Sequence, residues 1–113
     1  MEIKISHKVK QSIDEIYKYS YKLSPNYALK IVNKIYNTIY NLQYAPYIGR
    51  YVPELSSRCY RERICGNYRI IYFVSEKYNT IFIRYIICSR QDSNLFFEVH
   101  KNQLSRFLNQ FFN

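Results

Sequence analysis

No stretch of this 113-residue chain reaches the ~18 apolar residues that a membrane-spanning helix needs. Glu2 and Lys4 stand within its first four residues, where a secretory signal peptide would need an apolar run. The expectation is a cytoplasmic protein with no membrane contact. The chain also lacks any CxxC pair, and its three cysteines are an odd number, so neither a disulfide framework nor a zinc site is supported. Cys59 and Cys65 fall on one expected strand, too far apart to bond to each other, and buried, inert thiols are the simpler reading. The GxSxG, HExxH, P-loop and dinucleotide-binding signatures are absent, as are internal repeats and low-complexity tracts. Only two histidines occur. His7 lies at an expected helix start and His100 in an expected C-terminal helix, neither beside a sequence partner for acid–base work. Asp14 and Glu15 read as a solvated helix face rather than a catalytic pair. No metal and no cofactor is expected.

Acidic residues are scarce as well: 8 against 17 lysines and arginines, a net charge of +9. Such a balance speaks about partners and solubility, not about fold, and leaves open polyphosphate, an acidic protein or a merely basic surface. The positive charge is spread over folded-looking segments rather than gathered in a tail. Nearly half of the residues are apolar, and the length fits a single domain with one core.

What is present is strong periodicity. Glu2 to Ile5 alternates like a short strand, with Ile3 and Ile5 inward. Ser6 is a good N-cap, and Val9, Ile13, Ile16 and Ser20 then recur at helical spacing, predicting a helix over 7–23. Ser24-Pro25 restarts the chain with a cap and a proline at the first helical position. Ala28, Ile31, Ile35, Ile39 and Leu42 carry a second helix to about Gln43, and the short break implies an antiparallel hairpin. Tyr44 to Ser57, with Pro46, Gly49 and Pro53, is expected to be loop, long enough to suggest a function. Three strands follow: Arg58 to Cys65, Tyr68 to Ser75 and Thr80 to Cys88. The first two are joined by a Gly66-Asn67 turn. The last two are apolar on both faces, Arg84 apart, and should lie centrally in a four-stranded sheet. From Ser93 to about residue 112 an amphipathic helix is expected, with Phe96, Val99 or His100, Leu104, Phe107, Leu108 and Phe111 on its apolar side. Either the body of the domain or a partner could cover that side. The fold class is α+β, a helical hairpin on an antiparallel meander.

A two-residue turn fixes the hairpin register. It sets Cys65 opposite Tyr68, Ile64 opposite Arg69 and Glu62 opposite Ile71. Tyr60, Glu62 and Arg69 then share one face, and Arg61, Arg63, Ile70 and Tyr72 the other. Glu62 is diagonal to Arg69, within reach of a long side chain. Two readings of Arg69 stand at this point: a structural pair with Glu62, which spacing by itself favours, or a guanidinium presented to a phosphate or an acidic target. Arg90, just past the last strand, carries the same ambiguity.

Taken in order, Ile13-x-x-Ile16-Tyr17-x-Tyr19, Pro25-x-x-Ala28, Ile35, Leu42, Pro46-x-x-Gly49-Arg50, Pro53-Glu54-Leu55, Tyr60-Arg61-Glu62, Tyr68-Arg69-Ile70-Ile71-Tyr72 and Arg90 resemble the RelE/ParE superfamily, the toxin half of type II toxin–antitoxin systems. The resemblance covers about Ile3 to Arg90 and implies a β-α-α-β-β-β fold. It also implies an acidic antitoxin partner and one of two targets: the ribosome with its mRNA, cut without a metal in RelE-like members, or DNA gyrase, inhibited by ParE-like members. RelE-like cleavage implies two arginines, which Arg69 and Arg90 match as candidate catalytic residues. It also implies two lysines and a tyrosine, where this chain has Tyr60, Glu62 and, nearby, Phe96. A glutamate facing a scissile phosphate repels it. Tyr60, Arg61, Glu62 and Arg63 are the candidate target-binding residues. The Pro25-x-x-Ala28 helix start and the loop around Gly49-Arg50 and Val52 to Leu55 resemble ParE more closely. Gyrase inhibition is the favoured expectation, mRNA cleavage the second, and a degenerate member that only binds its antitoxin the third.

Overall fold

The computed structural model describes residues 1–112. Its elements in chain order are β1 (Glu2–Ile5), α1 (His7–Leu23), α2 (Pro25–Asn41), β2 (Arg50–Tyr51), β3 (Tyr60–Cys65), β4 (Tyr68–Ser75), β5 (Thr80–Cys88) and α3 (Ser93–Phe112). Local chemistry explains the two first helices. The Ser6 hydroxyl accepts the Val9 amide at 3.2 Å and caps α1. Ser24, in extended backbone, accepts the Tyr27 amide at 3.3 Å and caps α2. Pro25 follows it, where a missing N–H costs nothing.

The strands form one sheet in the order β1-β5-β4-β3-β2. As expected, β4 and β5 lie inside it, and the β3–β4 register pairs Cys65 with Tyr68, Ile64 with Arg69 and Glu62 with Ile71. Gly66, at φ +58°, takes the left-handed conformation that the tight turn requires and a side chain resists. The antiparallel meander β3-β4-β5 is as expected, and the sheet departs from expectation in two respects. It has five strands rather than four, because the loop contributes the two-residue β2 beside β3; two residues are too few to show alternation in sequence. With β1 parallel to β5, the sheet as a whole is mixed. Cys59 lies in the turn before β3, not on the strand.

Both faces of the sheet are covered. Val9, Ile13, Ile31, Ile35, Ile39 and Leu42 of the hairpin pack on Cys65, Ile70, Tyr72, Ile81 and Ile83. On the opposite face Phe97, Leu104 and Phe107 of α3 pack on Tyr60, Ile71, Phe73, Tyr85 and Ile87. The body of the domain therefore covers the C-terminal helix. The stripe on α3 runs through Phe97, His100, Leu104 and Phe107, which leaves Val99 on the solvent side at 65% exposure. The spacing offers Val99 or His100 for the apolar side, of which His100 is the one turned inward, and omits Phe97. A β-bulge makes the second core possible. Ile71 opposes Tyr85 while Tyr72 opposes Ile83, so Arg84 is an extra residue on β5. The added residue reverses the alternation: Ile81 and Ile83 face the hairpin, whereas Tyr85 and Ile87 face α3. No helix among the described residues is long and apolar enough to cross a membrane.

Candidate functional site: a sealed arginine cluster and an open groove

Strand alternation divides the candidate residues between the two faces. On the α3 face, Arg69 sits at the start of β4. Its Nη1 and Nη2 donate to the two carboxylate oxygens of Glu54 at 2.6 and 2.7 Å. Its Nε donates to Oε1 of Glu62 at 2.9 Å, and Nη2 also reaches that oxygen. The other Glu62 oxygen accepts from Nε of Arg50 at 2.6 Å. The Phe97 ring closes over the guanidinium, 5.6 Å from its centroid to Cζ. The Arg69 side chain keeps 12% exposure and that of Glu62 keeps none.

Arg69 is therefore a buried two-carboxylate clamp, not a cation presented beside an exposed turn. The diagonal Glu62 contact was legible from the register. Glu54 was missed, because it arrives from a loop whose path no periodicity records. Tyr60 is buried on the same face, and its hydroxyl donates to the Leu104 carbonyl at 2.9 Å. Burial pushes its pKa well above the ordinary tyrosine value, so it stays a neutral anchor for α3.

On the hairpin face, Arg61 donates to the Gly49 carbonyl at 2.8 Å, the Tyr47 carbonyl at 3.2 Å and the Tyr51 hydroxyl at 3.1 Å. Its guanidinium also lies 4.3 Å from the Tyr51 ring centroid. It holds the loop to the sheet. Arg63, half-buried on that face, makes no ion pair among the described residues. Of the four candidate target-binding residues, Arg61 and Arg63 reach solvent, while Tyr60 and Glu62 are enclosed.

Arg90 is elsewhere. It is exposed after β5 and lines an open groove of about 650 Å3 with Lys8, Tyr19, Leu23, Tyr27 and Tyr68. Arg69 does not line this groove, so the two arginines that the sequence suggested as a pair serve different surfaces. The groove is mixed in character: cations at Lys8 and Arg90, a carboxylate at Glu15, and exposed side chains at Tyr19 and Leu23, at 60% and 68% exposure.

The clamp has a pH signature. The Arg69 hydrogen bonds hold the Glu54 carboxyl down, from its ordinary 4.5 to about 2, against the opposing effect of burial; the Ser93 hydroxyl adds a smaller contribution in the same direction. A lowered folded-state pKa means the stabilisation is whole above the ordinary value and is lost as pH falls through the folded one. The expected result is a melting temperature that drops steeply between about pH 4.5 and pH 2. Thermal unfolding across that range checks it, with Glu54→Gln as reference. An equal slope in the variant would show that Glu54 does not carry the effect.

Comparison with known proteins agrees with this architecture. The family model for the ParE toxin of the type II toxin–antitoxin system parDE matches residues 3–93, and the chain belongs to that family. A solved structure described as the chromosomal ParDE TA system from P. aeruginosa aligns with a TM-score of 0.66. It covers 78% of this chain and 95% of that one at 24% identity, a likeness of fold. No curated protein matches the sequence. The chain is thus the toxin type of a type II toxin–antitoxin pair, with an antitoxin as its partner. Nearly all of α3, which seals the arginine cluster, lies beyond the matched span.

Proposed function

We propose that this chain arrests growth by binding and inhibiting DNA gyrase, not by cutting RNA, and that an acidic antitoxin neutralises it. The observation that carries this reading is the state of Arg69. Two carboxylates already engage all three of its guanidinium nitrogens through four hydrogen bonds, α3 covers it, and Glu62 adds negative charge at the same place. In-line cleavage of a phosphodiester needs free cations and a proton carrier around the scissile group, and neither Arg69 nor Tyr60 is free to serve. Arg69 then contributes to toxicity as a positioning residue that holds the loop and α3. The open groove with Arg90, Lys8 and exposed tyrosine and leucine side chains suits a protein target instead. Aromatic and arginine anchors dominate such contacts, and the +9 charge suits rapid association with an acidic antitoxin.

The test is gyrase supercoiling with the purified chain, run beside a ribosome-dependent cleavage assay on mRNA. The expected result is inhibited supercoiling that added antitoxin reverses, with intact transcripts. Arg90→Glu should weaken inhibition by roughly tenfold or more, in the range of a lost interfacial charge contact, while its unfolding midpoint stays at the wild-type value. Cleaved transcripts with unaffected supercoiling would replace this reading by the RelE-like one. Neither activity, with antitoxin still bound, would leave a member that only binds its antitoxin.

A further inference from the structure

The bulge on β5 sets one charged residue into an otherwise apolar strand and aims it at a second, smaller pocket. Arg84 is half-buried, with its guanidinium carbon 3.8 Å from the Phe107 ring centroid. Its Nε is enclosed and has no hydrogen-bond partner among the described residues. Stacking on a ring satisfies the face of a guanidinium, not its in-plane N–H donors; Nε is sealed from the pocket, and the Nη groups, which form no hydrogen bond among the described residues, are the donors Arg84 offers there. The pocket holds about 400 Å3 between the start of α1 and the middle of α3, and His7, Lys8, Arg84 and Arg106 line it with Gln103 and Gln110. No carboxylate lines it, and Lys8, Arg84 and Arg106 form no ion pair among the described residues.

The frame around these charges is tied together. The Ser6 hydroxyl donates to the Arg84 carbonyl at 3.2 Å while its oxygen caps the Val9 amide. The start of α1 and the bulge are thus one unit, and the amides of His7 and Lys8 open the helix without intrahelical acceptors.

We propose that this pocket is a binding site for a phosphate group. Three formal positive charges and a helix start, with no carboxylate among them, exceed what one carboxylate ligand neutralises. A phosphate brings up to two charges and several acceptor oxygens, enough to meet the Arg84 fork, Lys8 and Arg106 together. Two sources present that chemistry: the free ion and the phosphodiester backbone of a nucleic acid. The pocket borders the Arg90 groove of the gyrase reading and shares Lys8 with it, whereas Arg84 and Arg106 line the pocket and not the groove, so Arg106→Gln tests phosphate binding apart from that reading.

The experiment titrates inorganic phosphate into the full chain at constant ionic strength and follows amide and guanidinium resonances. Saturable shifts are expected at His7, Lys8 and the Arg84 Nε–H. Lys8→Gln and Arg106→Gln should each weaken binding by roughly tenfold, or about 1.4 kcal/mol. Both residues are exposed, so these variants test the site even where Arg84→Met, which retains packing on Phe107 and should abolish binding, disturbs the bulge. A short single-stranded oligonucleotide then separates the sources. Competition with phosphate, lost in the same variants, assigns the backbone; no competition assigns the free ion. Shifts that fail to saturate, that chloride reproduces, or that persist undiminished in both Lys8→Gln and Arg106→Gln would overturn the proposal.

Discussion

Arg69→Ala is expected to lower the stability of the folded chain by about 3–5 kcal/mol, the usual cost of removing one partner from a buried ion pair. That would be a large share of the ~5–15 kcal/mol that holds a domain folded. The cost is not the loss of attraction alone. Glu62, with no side-chain exposure, and Glu54, with 14%, would remain as two enclosed carboxylates, held near each other without the cation that offsets them. Arg50 would still reach Glu62 from outside, and Glu54 would keep only the Ser93 hydroxyl and its own backbone amide. Denaturant unfolding measures the effect. A variant combining Arg69→Met, Glu54→Gln and Glu62→Gln removes the buried charges together and should recover most of the loss. If Arg69→Ala unfolds within about 1 kcal/mol of the wild type, the pair behaves as an exposed one and the clamp assignment is wrong. The triple variant also separates fold from toxicity: if Arg69 acts only by positioning, the refolded triple variant inhibits growth again.

The second large effect is expected at Gly49, where the loop crosses the edge of the sheet. A Cβ there would lie 2.5 Å from the backbone carbonyl oxygen of Glu62 and 2.5 Å from the Tyr72 hydroxyl. The first obstacle is strand backbone, which cannot swing aside as a flexible side chain can. The second is a hydroxyl already committed on both sides. It accepts the Gly49 amide at 2.9 Å and donates to the Pro46 carbonyl at 2.9 Å. Arg61 adds a bond to the Gly49 carbonyl. Gly49→Ala must therefore push the loop off the sheet. The expected cost is about 1–3 kcal/mol for overpacking, with faster hydrogen exchange at Arg50, Tyr51 and Val52. An alanine variant with the wild-type midpoint and unchanged exchange would show that the loop is not held at this point.

Much of the architecture was legible because it is local. The caps at Ser6 and Ser24 act on amides three residues ahead, and the helical stripes repeat within a few turns, so both helix starts and the hairpin followed from the pattern. The Gly66-Asn67 turn fixes its register by its own length, and the Glu62–Arg69 contact followed from that register. The candidate site was legible in part. Which residues share a face was correct, but exposure was not, because period-two alternation says which face a side chain takes and nothing about what lies above it.

The sequence by itself determined the helical hairpin, the order and register of β3 and β4, and the covered position of β4 and β5. Each depends on neighbours a few residues apart or on a run of apolar side chains. Only the tertiary structure decided that Glu54 meets Arg69, that Phe97 rather than Val99 faces the sheet, and that Arg84 is the extra residue of a bulge. Those outcomes depend on where a loop returns, on how a helix is rotated against a sheet, and on how a second core fits a strand. They are contacts between segments far apart in the chain, chosen by packing and by the need to pair buried charge, and no spacing within one segment encodes them.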